Sequence, residues 1–410
     1  MGFFFKLLIK MKHSLYIQNK NCTFAQIIMI LFKNIYILRT KYSILIILFF
    51  VLFTVHSPIY AQGILTHCWN TDSTVTFTYI DSTARSVAIE SSCLLPYEDH
   101  SFAGRQERRA MQAIQPSVWQ LTTRRTIKPE LYTFRLFVNG KQQKQMPHYE
   151  SIWKRNKLMH ILLLADSPQS QLYAATHPQG RLDTIDFRGV KGNMFHAVIY
   201  LPVGYNDTTE YPVFYLFHGI NGNQYDWLGQ GRIANILDHL IAQQQIQPLV
   251  VVMPYCLLSE SKFQDHVKAT NVGNYGEILS GKFERQFYEI HRYIQSHYSI
   301  RPTGNAIAGL SCGARQAVNI AHADSSTFAY VGLFSPVVSY RQLPKAYTNT
   351  LYWVGACSDD WMFRDEAKRF VRGLRKQKIQ PIYIETIGGH TFTNWRIFAT
   401  EFLQWAYPQK

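Results

Sequence analysis

Ser311 stands in a setting that could support chemistry, because Gly309-Leu310-Ser311-Cys312-Gly313 is a Gly-x-Ser-x-Gly pattern. A serine hydroxyl is a poor nucleophile until a base removes its proton, so a catalytic serine needs a histidine and a carboxylate that orients the histidine. The pattern alone is weak support, since a turn of small residues between a strand and a helix has the same composition. The thiol of Cys312 is a second candidate nucleophile.

The required histidine and carboxylate both follow Ser311 along the chain. Asp359 and Asp360 come after one apolar segment, and His390 comes after the next. A nucleophile on a strand-to-helix turn is followed by its acid and then by its base, each after a later strand. This order predicts Ser311 as the nucleophile, His390 as the general base and one of the two aspartates as the group that orients it.

A loop suited to stabilising an oxyanion follows the apolar segment 213–217. It reads His218-Gly219-Ile220-Asn221-Gly222, and it occupies the position from which one backbone N–H is donated to the oxyanion. The second N–H would come from the residue after the nucleophile. We therefore predict that the N–H groups of Ile220 and Cys312 form an oxyanion hole and that the Cys312 side chain packs. The alternative for this loop is a tight turn after a buried strand.

The chain contains two regions with different hydrophobic patterns, and the second region carries the candidate catalytic residues. Residues 62–165 contain short alternating stretches such as Val75, Phe77 and Tyr79, and a turn pair at Asn139-Gly140, which predict a small all-β sandwich. Residues 166–410 alternate apolar strands with helical patterns, which predicts an α/β domain with a mostly parallel sheet covered on both faces. The predicted strands of this sheet are 197–201, 213–217, 249–253, 306–310, 330–334, 352–355 and 382–386.

The first 61 residues form a predicted N-terminal extension and signal peptide. An apolar run from Tyr42 to Tyr60 follows Arg39 and Lys41, and Ala61 is a suitable cleavage position. A membrane anchor is the alternative. Residues 1–61 hold seven Lys or Arg and no Asp or Glu, so cleavage would lower the formal net charge from +15 to +8. We expect a secreted or periplasmic protein without a membrane partner after cleavage, and no motif indicates nucleic-acid binding.

The cysteines predict at most one disulfide. Cys22 lies in the signal segment, and Cys68 and Cys93 share the β-rich region, where they could pair in an oxidising compartment. Cys256, Cys312 and Cys357 follow predicted strands and are expected to be buried thiols. No spacing of Cys, His or acidic residues predicts a metal site.

Five segments resemble the esterase D family of α/β-hydrolases, most closely the feruloyl and acetyl-xylan esterases of carbohydrate esterase family 1. The resemblance extends over about residues 180–408 and rests on segments 211–227, 248–254, 305–321, 328–336 and 388–405. The preceding segments 111–123 and 127–140 are similar to an immunoglobulin-like domain related to glycogen-binding modules.

This resemblance implies a serine esterase that needs no metal or organic cofactor. It favours Asp360 over Asp359, although the family's glycine three positions earlier is replaced by Cys357. The family's Met after the nucleophile is replaced by Cys312. The segment 257–275 also departs from the family. Because it follows the end of a predicted strand, we expect it to overhang the site and shape the substrate pocket. The residues that the resemblance implies for substrate binding are His218, Gly219, Trp227 and Trp395.

The implied substrate is an acylated polysaccharide or oligosaccharide, such as xylan carrying feruloyl or acetyl esters. Two alternatives share the hydrolase fold, namely a siderophore lactone esterase and an acyltransferase. A third is a carbohydrate-binding protein with a silent hydrolase domain. The sequence predicts no oligomeric state.

Overall fold

The computed structural model describes residues 63–95, 106–124, 126–154, 157–164, 167–175, 177, 179–258, 275–344 and 349–409. The predicted signal peptide at 1–61 lies outside these residues. Gly63–Lys410 forms one compact unit. No helix within the described residues is long and apolar enough to cross a membrane.

The β-rich region consists of two antiparallel sheets, as the alternating sequence pattern predicts. One sheet has the strand order β1-β2-β6-β5, and the other has the order β4-β3-β7-β10-β9 with β8 paired to β7. Val75, Phe77 and Tyr79 of β2 are buried, because alternate side chains of a strand face the same side. The strands are β1 (Ile64–Trp69), β2 (Val75–Ile80), β3 (Val87–Ser91), β4 (Glu107–Ala110), β5 (Gln112–Gln115), β6 (Val118–Thr122), β7 (Leu131–Val138), β8 (Lys141–Gln142), β9 (Ser151–Lys154) and β10 (Lys157–Leu163).

The second region is an α/β-hydrolase fold, which confirms the predicted fold class. Its sheet has the order β11-β12-β14-β13-β15-β16-β17-β18. The pairs from β14 to β18 are parallel, while β12 pairs antiparallel with β11 and β14. The strands are β11 (Arg181–Arg188), β12 (Met194–Leu201), β13 (Val213–Phe217), β14 (Val250–Pro254), β15 (Asn305–Leu310), β16 (Phe328–Phe334), β17 (Leu351–Cys357) and β18 (Ile382–Thr386).

Helices cover both faces of this sheet, and each face has its own buried apolar cluster. The helices are α1 (Pro168–Gln171), α2 (Asp226–Gly229), α3 (Ile233–Ala242), α4 (Tyr275–Ser280), α5 (Phe287–His297), α6 (Cys312–Ala323), α7 (Arg364–Lys376) and α8 (Phe392–Ala406). The apolar faces of α3 and α8 pack into one cluster, and those of α5 and α7 pack into the other.

All seven predicted strands of the large sheet are present, and β11 is an eighth strand that the sequence pattern does not predict. This edge strand carries Arg181, Asp183, Asp186 and Arg188, and most of its side chains are exposed. An edge strand with one solvated face lacks the continuous apolar run by which the buried strands were recognised.

The predicted disulfide between Cys68 and Cys93 is not formed. Cys68 is exposed on β1, whereas Cys93 is buried in the turn after β3, and both are free thiols. Cys256, Cys312 and Cys357 are buried free thiols, as predicted. Within the described ranges, no group of three or more His, Cys, Asp or Glu side chains could hold a metal ion.

A buried ion pair joins the β-rich region to the last helix of the α/β region. Arg396 of α8 donates through Nη2 to Oε1 of Glu130, which precedes β7, at 2.7 Å. Its Nη1 donates to the Gln230 carbonyl at 2.6 Å, and its guanidinium lies 4.7 Å from the Tyr173 ring centre. The contact joins the two regions directly, and the division into domains at 165–166 stays a prediction.

Candidate active site

Ser311 occupies the sharp turn between β15 and α6. Its backbone has φ 54° and ψ −120°, a strained conformation for a residue other than glycine. Both flanking glycines are needed for close packing. A Cβ on Gly309 would lie 2.4 Å from the Gly313 carbonyl carbon, and a Cβ on Gly313 would lie 2.3 Å from the His218 oxygen. The spacing of the pattern therefore reflects backbone segments in contact, which is the geometry of a nucleophile elbow.

His390 and Asp360 form a buried hydrogen-bonded pair at the ends of β18 and β17. His390 Nδ1 lies 2.7 Å from Asp360 Oδ2. Because the carboxylate accepts a hydrogen bond from Nδ1–H, it favours the tautomer whose Nε2 is free to take a proton. The imidazole and the Trp395 ring form a T-shaped contact with a centroid distance of 4.9 Å and an interplanar angle of 88°, and this packing restricts rotation of the imidazole.

Asp359 is the second aspartate of the pair, and its carboxylate has a different partner. Its Oδ1 accepts a hydrogen bond from Ser358 Oγ at 2.7 Å, and its N–H donates to the Gly388 carbonyl at 2.9 Å. The structure therefore brings Asp360 to His390 and uses Asp359 to join the loops after β17 and β18.

Asn394 positions the loop that carries His390, and the sequence analysis did not identify it. Its Nδ2 donates to the Gly389 carbonyl at 2.8 Å, and its Oδ1 accepts a hydrogen bond from Thr386 Oγ1 at 3.0 Å. Asn394 is buried on α8. The sequence does contain a sign of this role. Asn394 is a polar residue four positions after His390, among apolar residues of the C-terminal helix, and a buried polar side chain needs hydrogen-bond partners.

Ser311 and His390 line one cavity at the carboxyl ends of the strands, where α/β folds commonly place their sites. Among the lining residues that the structure describes, none is Lys or Arg, and two are aromatic. The other residues that line this cavity are Gly219, Ile220, Asn221, Asp226, Gln230, Leu310, Phe392 and Trp395.

The candidate oxyanion donors lie beside this cavity. Cys312 is the first residue of α6, so its N–H has no acceptor within the helix. Ile220 lines the cavity wall. Of the segment 257–275, which the sequence analysis placed over the site, residues 259–274 lie outside the described residues.

The Cys312 side chain is poorly suited to be the nucleophile. Burial raises the pKa of its thiol to about 11, although the nearby Ser311 side chain, the Arg315 charge and the Ile220 backbone act in the opposite direction. The side chain packs in a small cluster with Tyr255, Leu257 and Ile278. Because the thiolate is the reactive form, a thiol that stays protonated at neutral pH is a weak nucleophile.

His218 holds the loop after β13 in place and does not line the cavity. Its Nε2 accepts a hydrogen bond from the Cys256 N–H at 3.0 Å, and its Nδ1 donates to the Gly219 carbonyl at 2.8 Å. Burial lowers the pKa of His218 to about 4, which keeps the ring neutral. These contacts correct the prediction that His218 binds substrate.

The structure also corrects the prediction that Trp227 binds substrate. Its side chain is 1% exposed, and its Nε1 donates to the Phe217 carbonyl at 3.0 Å, so it belongs to the core beneath the site. Gly219 and Trp395, the other predicted substrate-binding residues, do line the cavity. Trp395 is anchored by a hydrogen bond of 3.1 Å from its Nε1 to Ser335 Oγ.

A family model described as "Putative esterase" matches residues 191–410. This match covers more than half of the chain, and the chain therefore belongs to this esterase family. Its fold and family are those of carboxylic ester hydrolases.

Two curated relatives are longer proteins. An endo-1,4-beta-xylanase/feruloyl esterase of Xylanibacter ruminicola is 28% identical over 227 residues, which are 53% of this chain and 30% of that protein. Endo-1,4-beta-xylanase Y of Acetivibrio thermocellus is 35% identical over 89 residues, which are 21% of this chain and 8% of that protein. The match thus spans less than a third of the length of each of these two relatives.

A solved structure shares the fold over both regions. The enterobactin esterase of Shigella flexneri superimposes with a TM-score of 0.57 at 15% identity, covering 85% of this chain and 96% of that one. At this identity the likeness concerns the fold alone.

Proposed function

We propose that this chain is a secreted or periplasmic serine carboxylesterase that removes acyl groups, feruloyl or acetyl, from plant polysaccharides such as xylan. The observation that carries the proposal is the buried His390–Asp360 pair, whose imidazole lines the same cavity as the strained Ser311. Export rests on the predicted signal peptide, and a mature protein that begins at Gln62 would support it.

In the acylation step, Ser311 Oγ attacks the ester carbonyl carbon while its proton passes to His390 Nε2. The Asp360 carboxylate stabilises the resulting imidazolium through Nδ1–H. The N–H groups of Ile220 and Cys312 donate hydrogen bonds to the developing oxyanion. The tetrahedral intermediate then expels the alcohol, which takes the proton from His390 and leaves an acyl ester on Ser311.

In the deacylation step, water replaces the alcohol. His390 removes a proton from the water as it attacks the acyl carbon, and the same proton returns to Ser311 Oγ when the acid leaves. A buried imidazole that is oriented by Asp360 and packed against Trp395 is positioned for both transfers.

Two observations favour a neutral aromatic or acetyl ester over an anionic substrate. The described lining of the cavity contains the aromatic rings of Phe392 and Trp395 and no Lys or Arg side chain. The two curated relatives carry xylanase in their names, and one is also named a feruloyl esterase. The second candidate is a siderophore lactone esterase, which is favoured by the fold shared across both regions with an enterobactin esterase.

The test compares wild type, Ser311→Ala and Cys312→Ala on methyl ferulate, 4-nitrophenyl acetate and a cyclic catecholate lactone. We expect wild type to hydrolyse the first two and Ser311→Ala to lose at least about a thousandfold in kcat. Cys312→Ala should keep activity within about tenfold, since only its backbone N–H takes part in the reaction. Full activity of Ser311→Ala would overturn the mechanism, and a preference for the lactone would favour the second candidate.

A further inference from the structure

A second cleft of about 460 Å³ lies where the β-rich region meets the large α/β region. One wall is formed by residues 150–153 on and beside β9, and the facing wall is formed by α2 and α3. The volume lies within the range of sites that hold small organic ligands. Neither the proposed mechanism nor the family match assigns this cleft a role.

The cleft adjoins the cavity that contains Ser311. Asp226 and Gln230 line both spaces. A ligand in the cleft therefore lies next to the cavity in which the ester carbonyl would react. This adjacency places the cleft where the remainder of an ester substrate would lie.

The charges of the cleft favour a neutral, hydroxyl-rich ligand. Its carboxylates, Glu150, Asp226 and Asp238, outnumber its one guanidinium, Arg232, among the described lining residues. Arg232 is already paired with Glu150 at 2.6 Å. An anionic ligand would be repelled, whereas carboxylates accept hydrogen bonds from hydroxyl groups.

The remaining groups of the lining suit a saccharide. Trp153 and Tyr225 provide aromatic surface, and Asn223 and Asn235 provide amide groups. A sugar ring presents an apolar C–H face and an edge of hydroxyl groups, which match these two kinds of side chain. We propose that this cleft binds the neutral saccharide chain that bears the ester, so that the β-rich region supplies part of the substrate site.

The two walls are held together before any ligand binds. Gly229 lies so close to β9 that a Cβ there would be 3.1 Å from Ile152 Cγ2. Arg232 also donates to the Tyr173 carbonyl at 3.3 Å, and the Gln230 carbonyl accepts from buried Arg396 at 2.6 Å. A site with fixed walls loses less conformational entropy on binding.

The inference rests on the proposed function, and its test measures binding separately from catalysis. Ser311→Ala protein is titrated with a linear xylo-oligosaccharide that carries no ester, and the heat of binding is recorded. We expect Asn235→Ala and the cleft-filling Ala234→Phe, each placed in the Ser311→Ala background, to weaken binding at least tenfold. Gln404→Ala, an exposed amide of α8 outside the cleft, is the matched control and should bind as the parent does.

A second readout is the ratio of kcat/KM for a feruloylated xylo-oligosaccharide to that for methyl ferulate, with Ser311 intact. We expect this ratio to fall at least tenfold in Asn235→Ala and Ala234→Phe and to stay unchanged in Gln404→Ala. Equal binding by parent and cleft variants, no binding by the parent, or an unchanged ratio would overturn the inference. A wild type that hydrolyses no ester would overturn the proposed function instead, since the binding result does not depend on turnover.

Discussion

Among the described residues, one carboxylate lies within hydrogen-bonding distance of His390 Nδ1, and this contact distinguishes the roles of the two adjacent aspartates. The Asp360 side chain is 4% exposed and accepts a hydrogen bond from the imidazole, whereas the Asp359 carboxylate accepts a hydrogen bond from the Ser358 hydroxyl. Sequence reasoning could not separate them, because neighbouring residues in an irregular loop have no fixed periodicity. Only the direction of each side chain, set by the packing of the loops after β17 and β18, assigns the partner.

At the residue scale we therefore expect Asp360→Asn and Asp359→Asn to differ strongly. An asparagine at 360 can donate to Nδ1 and so stabilise the wrong tautomer of His390, which should lower kcat about ten-thousandfold. The same change at 359 should alter kcat only a few-fold. Steady-state hydrolysis of 4-nitrophenyl acetate measures both, with circular dichroism as the control for folding. Equal losses, or a larger loss at 359, would contradict the assignment.

At the scale of elements, His218 connects the loops that follow two neighbouring strands. Its Nε2 accepts a hydrogen bond from the Cys256 N–H after β14, while its own backbone directly follows β13. The Gln316 side chain of α6 donates to the Cys256 carbonyl at 2.9 Å, so three elements meet at Cys256. The loop that carries Ile220 and the elbow that carries Ser311 are both fixed by this junction.

The junction predicts a dependence of stability on pH. Burial lowers the pKa of His218 to about 4, below the unfolded value of about 6.5. The unfolded chain therefore binds the proton first, and the free energy of unfolding falls as pH drops from about 6.5 towards 4, by about 3 kcal/mol for this group. Above pH 6.5 the ring is neutral in both states and this contribution to stability is fully present.

Urea unfolding of wild type and His218→Gln between pH 7 and 4.5 measures the effect. Glutamine can still accept the Cys256 N–H but does not titrate, so the variant should lose less stability on acidification than wild type. His148→Gln is the matched control, because His148 is exposed, and it should follow wild type. Identical pH dependences for wild type and His218→Gln would contradict the prediction.

At the scale of the whole molecule, the Glu130–Arg396 pair joins the β-rich region to α8, the helix that carries Trp395 and Asn394. Both charged side chains are buried, and the guanidinium also holds the Gln230 carbonyl between the cavity and the cleft. Glu130 and Arg396 are 266 positions apart in the chain. A disturbance of the pair should therefore reach the site as well as the fold.

Glu130→Ala would leave the Arg396 charge buried without its partner, which costs about 3–5 kcal/mol of unfolding free energy. Glu385→Ala is the matched control, because its pair with Lys368 is partly exposed, and such pairs contribute about 0–1 kcal/mol. Thermal unfolding followed by circular dichroism compares the two variants. A Tm for Glu130→Ala equal to that of Glu385→Ala would show that the ion pair does not hold the two regions together.

The amino-acid sequence by itself determined which groups could react and most of the large sheet. Apolar strands buried on both faces, amphipathic helices and the order of Ser311, His390 and the aspartate pair are local patterns, and local patterns are readable from sequence. The tertiary structure decided what depends on segments far apart in the chain. It assigned Asp360 to His390, buried Trp227 and His218, separated Cys68 from Cys93, and formed the cleft between β9 and α3. These outcomes depend on the directions in which side chains point and on how distant elements pack, and no short stretch of sequence encodes either.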